Sequence, residues 1–139
     1  MTRVVDASAI GALVFGEPEK PWVESHIASV ELIAPSLLRF ELGNICWKKV
    51  RRFPDEANRL MAAYDLWCMS ELVRDEPIDS IQTLRLARAH ELSFYDASYL
   101  YLAANRRADL VSLDARLVRV ARSLGLHAPA PHTTRRPRN

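Results

Sequence analysis

The chain has 139 residues, 49% hydrophobic and 26% charged, which fits one globular domain large enough for a real core. No apolar run approaches the roughly 20 residues of a membrane span, and the start, Met1-Thr2-Arg3-Val4-Val5-Asp6, lacks the layout of a secretory signal, so a soluble, cytoplasmic protein with no membrane partner is expected. The formal charge is +2, but Arg135, Arg136 and Arg138 lie in the tail; without them the body stands at −1, which excludes a global cationic field.

In chain order, Arg3-Val4-Val5-Asp6 reads as a short buried strand ending in a charge. A first helix starts at Ala7-Ser8, with Asp6 or Ser8 as its cap, and ends near Phe15-Gly16. The second runs from about Pro21 to Ser29. Leu32-Ile33-Ala34 is a second strand, closed by Pro35. The third helix covers about Ser36 to Arg51, with Leu38, Leu42, Ile45 and Cys46 as its apolar arc and Glu41, Asn44 and Lys48 on a bordering band. Phe53-Pro54-Asp55 breaks the chain, and a fourth helix follows to about Met69. Its stripe of Ala57, Leu60, Met61, Tyr64, Trp67 and Cys68 is read as core.

Glu71 to Arg74 forms a third strand, and helix five covers about Ile78 to Glu91. Helix six runs from Ser93 to about Asn105. Asp109 to Leu113 is a strand, Asp114 opens helix seven, and Gly125 fits the glycine that follows a helix end. Leu126-His127-Ala128 makes a last strand, and Pro129 to Asn139 lacks periodicity and reads as a flexible basic tail. Short apolar strands alternating with helices imply a mainly parallel sheet covered on both faces: a three-layer α/β/α fold with about seven helices, over residues 1–128. Ligands then bind at the carboxyl ends of the strands.

Cys46 and Cys68 are far apart and form no CxxC, and the four histidines show no metal-binding spacing. Both cysteines are expected in the core. Carboxylates are more informative. Asp6 and Asp114 each end a strand, so both belong at the open edge of a parallel sheet, and helix starts gathered there bring Asp96 close. Singly, Asp6, Asp96 and Asp114 each have a capping explanation; Ser93-x-x-Asp96 resembles a capping box with Asp in place of Glu. Mid-helix Glu41 has no such explanation, and its bland reading is an edge residue paired with Lys48 or Arg39. Jointly, clustered carboxylates raise one another's pKa, and a divalent cation with hard oxygen ligands relieves that repulsion.

Four segments resemble the motifs of the PIN-domain nucleases, in particular the VapC-type toxins of prokaryotic toxin–antitoxin pairs. They are Val4-Val5-Asp6-Ala7-Ser8-Ala9, Arg39-Phe40-Glu41-Leu42-Gly43-Asn44, Leu92-Ser93-Phe94-Tyr95-Asp96-Ala97-Ser98-Tyr99 and Val111-Ser112-Leu113-Asp114-Ala115-Arg116-Leu117. Ser112 departs mildly, standing where family members more often have threonine, but it keeps the hydroxyl. The resemblance implies a PIN-like fold and a Mg²⁺- or Mn²⁺-dependent endoribonuclease acting on single-stranded RNA. Asp6, Glu41, Asp96 and Asp114 would form the acidic site, with Ser8, Asn44 and Ser112 as supporting polar residues. Asp6 and Asp96 would be direct metal ligands, Asp114 would bind directly or through water, and Glu41 would hold or deprotonate the attacking water. Arg39, Lys48, Arg116 and the arginines of the tail are candidate RNA contacts. The family also implies a homodimer and a VapB-type antitoxin.

Other classes fit less well. A phosphoacceptor receiver domain needs an acidic pair early and a lysine late, yet Asp6 stands alone and no lysine follows Lys49. A dinucleotide-binding module needs a glycine-rich loop, and Gly11, Gly16, Gly43 and Gly125 are scattered. A solitary RNA-processing nuclease and a non-catalytic module of the same fold that binds RNA or protein remain the alternatives.

Overall fold

The structure is a computed structural model, and it describes residues 1–131. Four strands form one sheet: β1 (Thr2–Val5), β2 (Glu31–Ala34), β3 (Val73–Asp75) and β4 (Asp109–Val111). All neighbours are parallel, in the order β3-β2-β1-β4. The two central strands, β1 and β2, are built of aliphatic residues; Val4, Val5, Leu32, Ile33 and Ala34 are buried. This is the apolar run that a strand covered on both faces requires.

Among the described residues seven helices cover the sheet: α1 (Ala7–Phe15), α2 (Lys20–Ile27), α3 (Leu37–Arg52), α4 (Ala57–Met69), α5 (Ser80–His90), α6 (Phe94–Arg106) and α7 (Ala115–Ser123). Helix α1 packs on α2, α3 and α4, whereas α6 packs on α5, α7 and the strands β1 and β4. The result is the expected three-layer α/β/α arrangement. A turn of 3₁₀-helix, Pro54–Glu56, separates α3 from α4 where Pro54 interrupts the chain. Gly16 and Gly125 end α1 and α7 at φ values of 69° and 78°, the left-handed region that glycine enters without a Cβ penalty.

Three local expectations do not hold. Residues 126–128 form no strand: Leu110 N donates to His127 O at 3.0 Å, but one bond makes no ladder. Helix α4 is not a core helix. Leu60 is buried and Tyr64 and Trp67 pack partly against the core, but Met61 is exposed, as are Leu66 and Met69. The physical reason is position, since α4 lies mainly on α3 and α1 and so buries only a narrow edge. Cys46 is buried as expected, but Cys68, on α4, is only half-buried; both are free thiols. Of the tail read as flexible, residues 132–139 lie outside the described residues. Among the described residues no helix is long and apolar enough to cross a membrane.

Helices α3 and α4 meet closely at Gly43. A Cβ there would stand 3.0 Å from the Tyr64 hydroxyl, which donates to Arg39 O at 2.8 Å. The glycine thus lets α4 clamp α3 two residues from Glu41.

Candidate active site

Sheet register assembles the first part of the site. Val5 pairs with Val111, so the next residues, Asp6 and Ser112, leave the adjacent carboxyl ends of β1 and β4 side by side. Asp6 N continues the ladder to Val111 O at 3.3 Å. The Ser112 hydroxyl donates to Asp6 Oδ2 at 2.5 Å. The Ser8 hydroxyl donates to Asp6 Oδ1 at 2.6 Å, and Ala9 N reaches the same oxygen at 3.0 Å. Asp6 is therefore the cap of α1, which decides between the two caps the sequence allowed.

Both serines also accept hydrogen bonds. Leu113 N donates to Ser8 Oγ at 2.9 Å, and Asp114 N donates to Ser112 Oγ at 3.0 Å. Each hydroxyl thus joins Asp6 to the loop that carries Asp114. Asp114 caps α7 through Oδ1, which accepts from Arg116 N at 2.9 Å and Leu117 N at 3.1 Å. Ser93 caps α6 by accepting from Asp96 N at 3.0 Å, which sets Asp96 in the first turn of that helix. Capping leaves room for a further partner, because a carboxylate has two oxygens and several lone pairs.

Glu41 is half-buried on α3. Its hydrogen-bond partner is neither Lys48 nor Arg39, contrary to the edge-pair reading, but Tyr99 of α6, whose hydroxyl donates to Glu41 Oε1 at 2.7 Å. Tyr99 belongs to a motif, but the sequence alone assigns it no role of its own. Its spacing of three from Asp96, which puts both on one helix face, is the signal that could have found it. Asn44, by contrast, is exposed and makes no hydrogen bond to the four acids among the described residues. Arg39, Lys48 and Arg116 are exposed, and the Arg116 guanidinium donates to Glu91 O. Arg135, Arg136 and Arg138 lie outside the described residues.

The acids are electrostatically coupled. Burial pushes Asp6 up from 3.8 to about 6; the bonds from Ser112, Ser8 and Ala9 oppose this, and the charge of Asp114 adds to it. Burial pushes Glu41 up from 4.5 to about 7, opposed by the Tyr99 bond and reinforced by Asp6 and Asp96. Asp96 is raised by burial and then by Asp114, with Ser93 and Arg116 pulling the other way. Four acids, the caps of α1 and α7 and residues of α3 and α6, thus feel one another at one edge of the sheet. Little positive charge offsets them.

Among the described residues, no three His, Cys, Asp or Glu side chains stand close enough to ligate one ion together as placed. The donors are hard carboxylate oxygens that raise one another's pKa values, the chemistry of a hard divalent cation held by one or two carboxylates and completed by water.

The PIN domain family matches residues 3–123, and the chain belongs to that family. Its similar relatives are of the VapC type. Ribonuclease VapC3 of Pyrobaculum aerophilum is 32% identical over 123 residues, covering 84% of this chain and 92% of the relative. Exonuclease VapC9 of the same organism is 32% identical over 116 residues, covering 83% and 82%. The crystal structure of PAE2754 from P. aerophilum superposes with a TM-score of 0.69 at 29% identity, covering 92% of this chain and 83% of that one.

Proposed function

We propose that this protein is a Mg²⁺- or Mn²⁺-dependent endoribonuclease that hydrolyses RNA phosphodiester bonds, and that it is the toxic component of a type II toxin–antitoxin pair with a VapB-type partner. The observation that carries the nuclease reading is the held, coupled set of Asp6, Glu41, Asp96 and Asp114 at the carboxyl edge of the sheet. The kinship to chains named ribonuclease and exonuclease supports it.

In this reading Asp6 and Asp96 would hold the ion, and Asp114 would bind it directly or through water. When bound, the ion supplies positive charge for the phosphoryl oxygens and lowers the pKa of water. Glu41 would hold the attacking water or accept its proton, a role suited to a carboxyl that burial raises above the ordinary glutamate value. The water oxygen forms the new bond to phosphorus, the bond to the leaving ribose oxygen breaks, and that oxygen takes a proton from solvent. Ser8 and Ser112 hold Asp6 and the Asp114 loop in place. Exposed apolar side chains on α4, Leu66 and Met69 among them, support a homodimer.

The test is cleavage of single-stranded RNA with Mg²⁺ or Mn²⁺. Asp6→Asn and Asp96→Asn should each abolish it while the circular dichroism spectrum stays that of the parent. Full activity in both variants would sink the assignment.

A further inference from the structure

We propose that Tyr99 is a positioning residue for the reaction assigned above: its phenol fixes Glu41 of one helical layer relative to Asp96 of the other. The inference rests on the nuclease reading and adds to it a residue outside the four acids.

Tyr99 is 1% exposed and ranks among the largest fully buried side chains. A phenylalanine would fill that volume without a polar atom, and a buried hydroxyl is costly unless partnered. The hydroxyl's partner among the described residues is Glu41 Oε1, 2.7 Å away and 58 residues distant in sequence. Burial and the nearby charges of Glu41, Asp6 and Asp96 push the phenol's pKa far up, so it remains a donor. The bond leaves Oε2 of Glu41 for chemistry.

Glu41 needs such a restraint. Its neighbours Arg39, Phe40 and Asn44 are exposed, so its own surroundings on α3 leave a path to solvent. A glutamate has three side-chain torsions, and no ion pair holds this one among the described residues. Helix α6, in contrast, is rigidly seated. Ser93 caps it, and Ala97, Ser98, Leu100, Leu102 and Ala103 are all buried. Asp96 and Tyr99 lie three residues apart on that helix, so one turn of it delivers both an acid and the donor that fixes the acid opposite. The bond between the two layers then fixes Glu41 against the same helix face that carries Asp96.

The experiment compares the full-length parent with Tyr99→Phe, Glu41→Gln and the double variant. Three quantities are read: Mn²⁺ affinity by calorimetry without RNA, kcat and KM on single-stranded RNA, and melting temperature. Tyr99→Phe should fold as the parent does. It should lose roughly 10- to 100-fold in kcat or Mn²⁺ affinity, the range seen when a group orienting a ligand is removed. Its KM for RNA should not change. In the double variant the phenol should no longer matter, so the double should match Glu41→Gln, because two groups acting as a unit are not additive. Parental kcat and Mn²⁺ affinity in Tyr99→Phe would overturn the inference and leave the nuclease reading intact. So would an additive double variant, which would make Tyr99 a packing residue. A parent that neither cleaves RNA nor binds Mn²⁺ would overturn the nuclease reading itself, and this inference with it.

Discussion

Replacing Asp6 with asparagine separates the charge of the site from its shape. In the metal-free protein the carboxyl of Asp6 is raised from 3.8 to about 6, chiefly by burial. Raising a pKa by one corresponds to about 1.4 kcal/mol, so the ionised form costs the folded state about 3 kcal/mol. Because the folded pKa lies above the unfolded one, this stability is fully present below about pH 4 and is lost as pH rises through about 6. Asp6→Asn keeps the size and still offers an oxygen to Ser8 and Ala9, and the Ser112 hydroxyl can rotate to accept from the amide. The variant should therefore gain on the parent as pH rises, by about 3 kcal/mol between pH 4 and pH 8, which corresponds to roughly 10 °C in melting temperature at this size. Urea unfolding followed by circular dichroism in EDTA, at steps across that range, measures the difference. Any constant offset from altered hydrogen bonding cancels, since the pH dependence carries the argument. A difference that stays flat with pH, or that favours the parent as pH rises, would refute the view of Asp6 as a buried charge held at a cost for function.

Two further outcomes follow from the geometry. Ser112→Ala removes the donor to Asp6 Oδ2 and the acceptor of Asp114 N at once, so it should cost roughly 1–3 kcal/mol of stability and lower RNA cleavage, whereas Ser112→Thr, which keeps the hydroxyl, should retain activity; equal unfolding midpoints and rates for alanine and parent would contradict this. On α4, Leu66 is 69% and Met69 72% exposed, so Leu66→Glu combined with Met69→Glu should convert the proposed homodimer to a monomer in light scattering, an unchanged dimer mass would remove α4 from the proposed interface, and a monomeric parent would overturn the homodimer itself.

Much of this protein is written locally. Capping aspartates and serines, strand-length apolar runs and glycine after α1 and α7 act within a few residues of chain, and the four parallel strands and seven helices are legible from them; only the extra strand expected at residues 126–128 is not there. The placement of the four candidate acids is legible for the same reason: each sits at a helix start or within a helix. The choice of partner was not legible. Asp6 meets Ser112 because β1 and β4 pair in one register, 106 residues apart, and a shift of one residue would turn the hydroxyl to the other face of the sheet. Glu41 meets Tyr99 instead of Lys48 or Arg39 because two helical layers close over the sheet edge, which no spacing within α3 can encode. Periodicity likewise marked α4 as amphipathic but not how much of its apolar side is covered, since that depends on what α1 and α3 leave open. Short-range sterics and hydrogen bonds determined the elements and the acids; contacts between residues far apart in the chain determined which groups hold those acids in place.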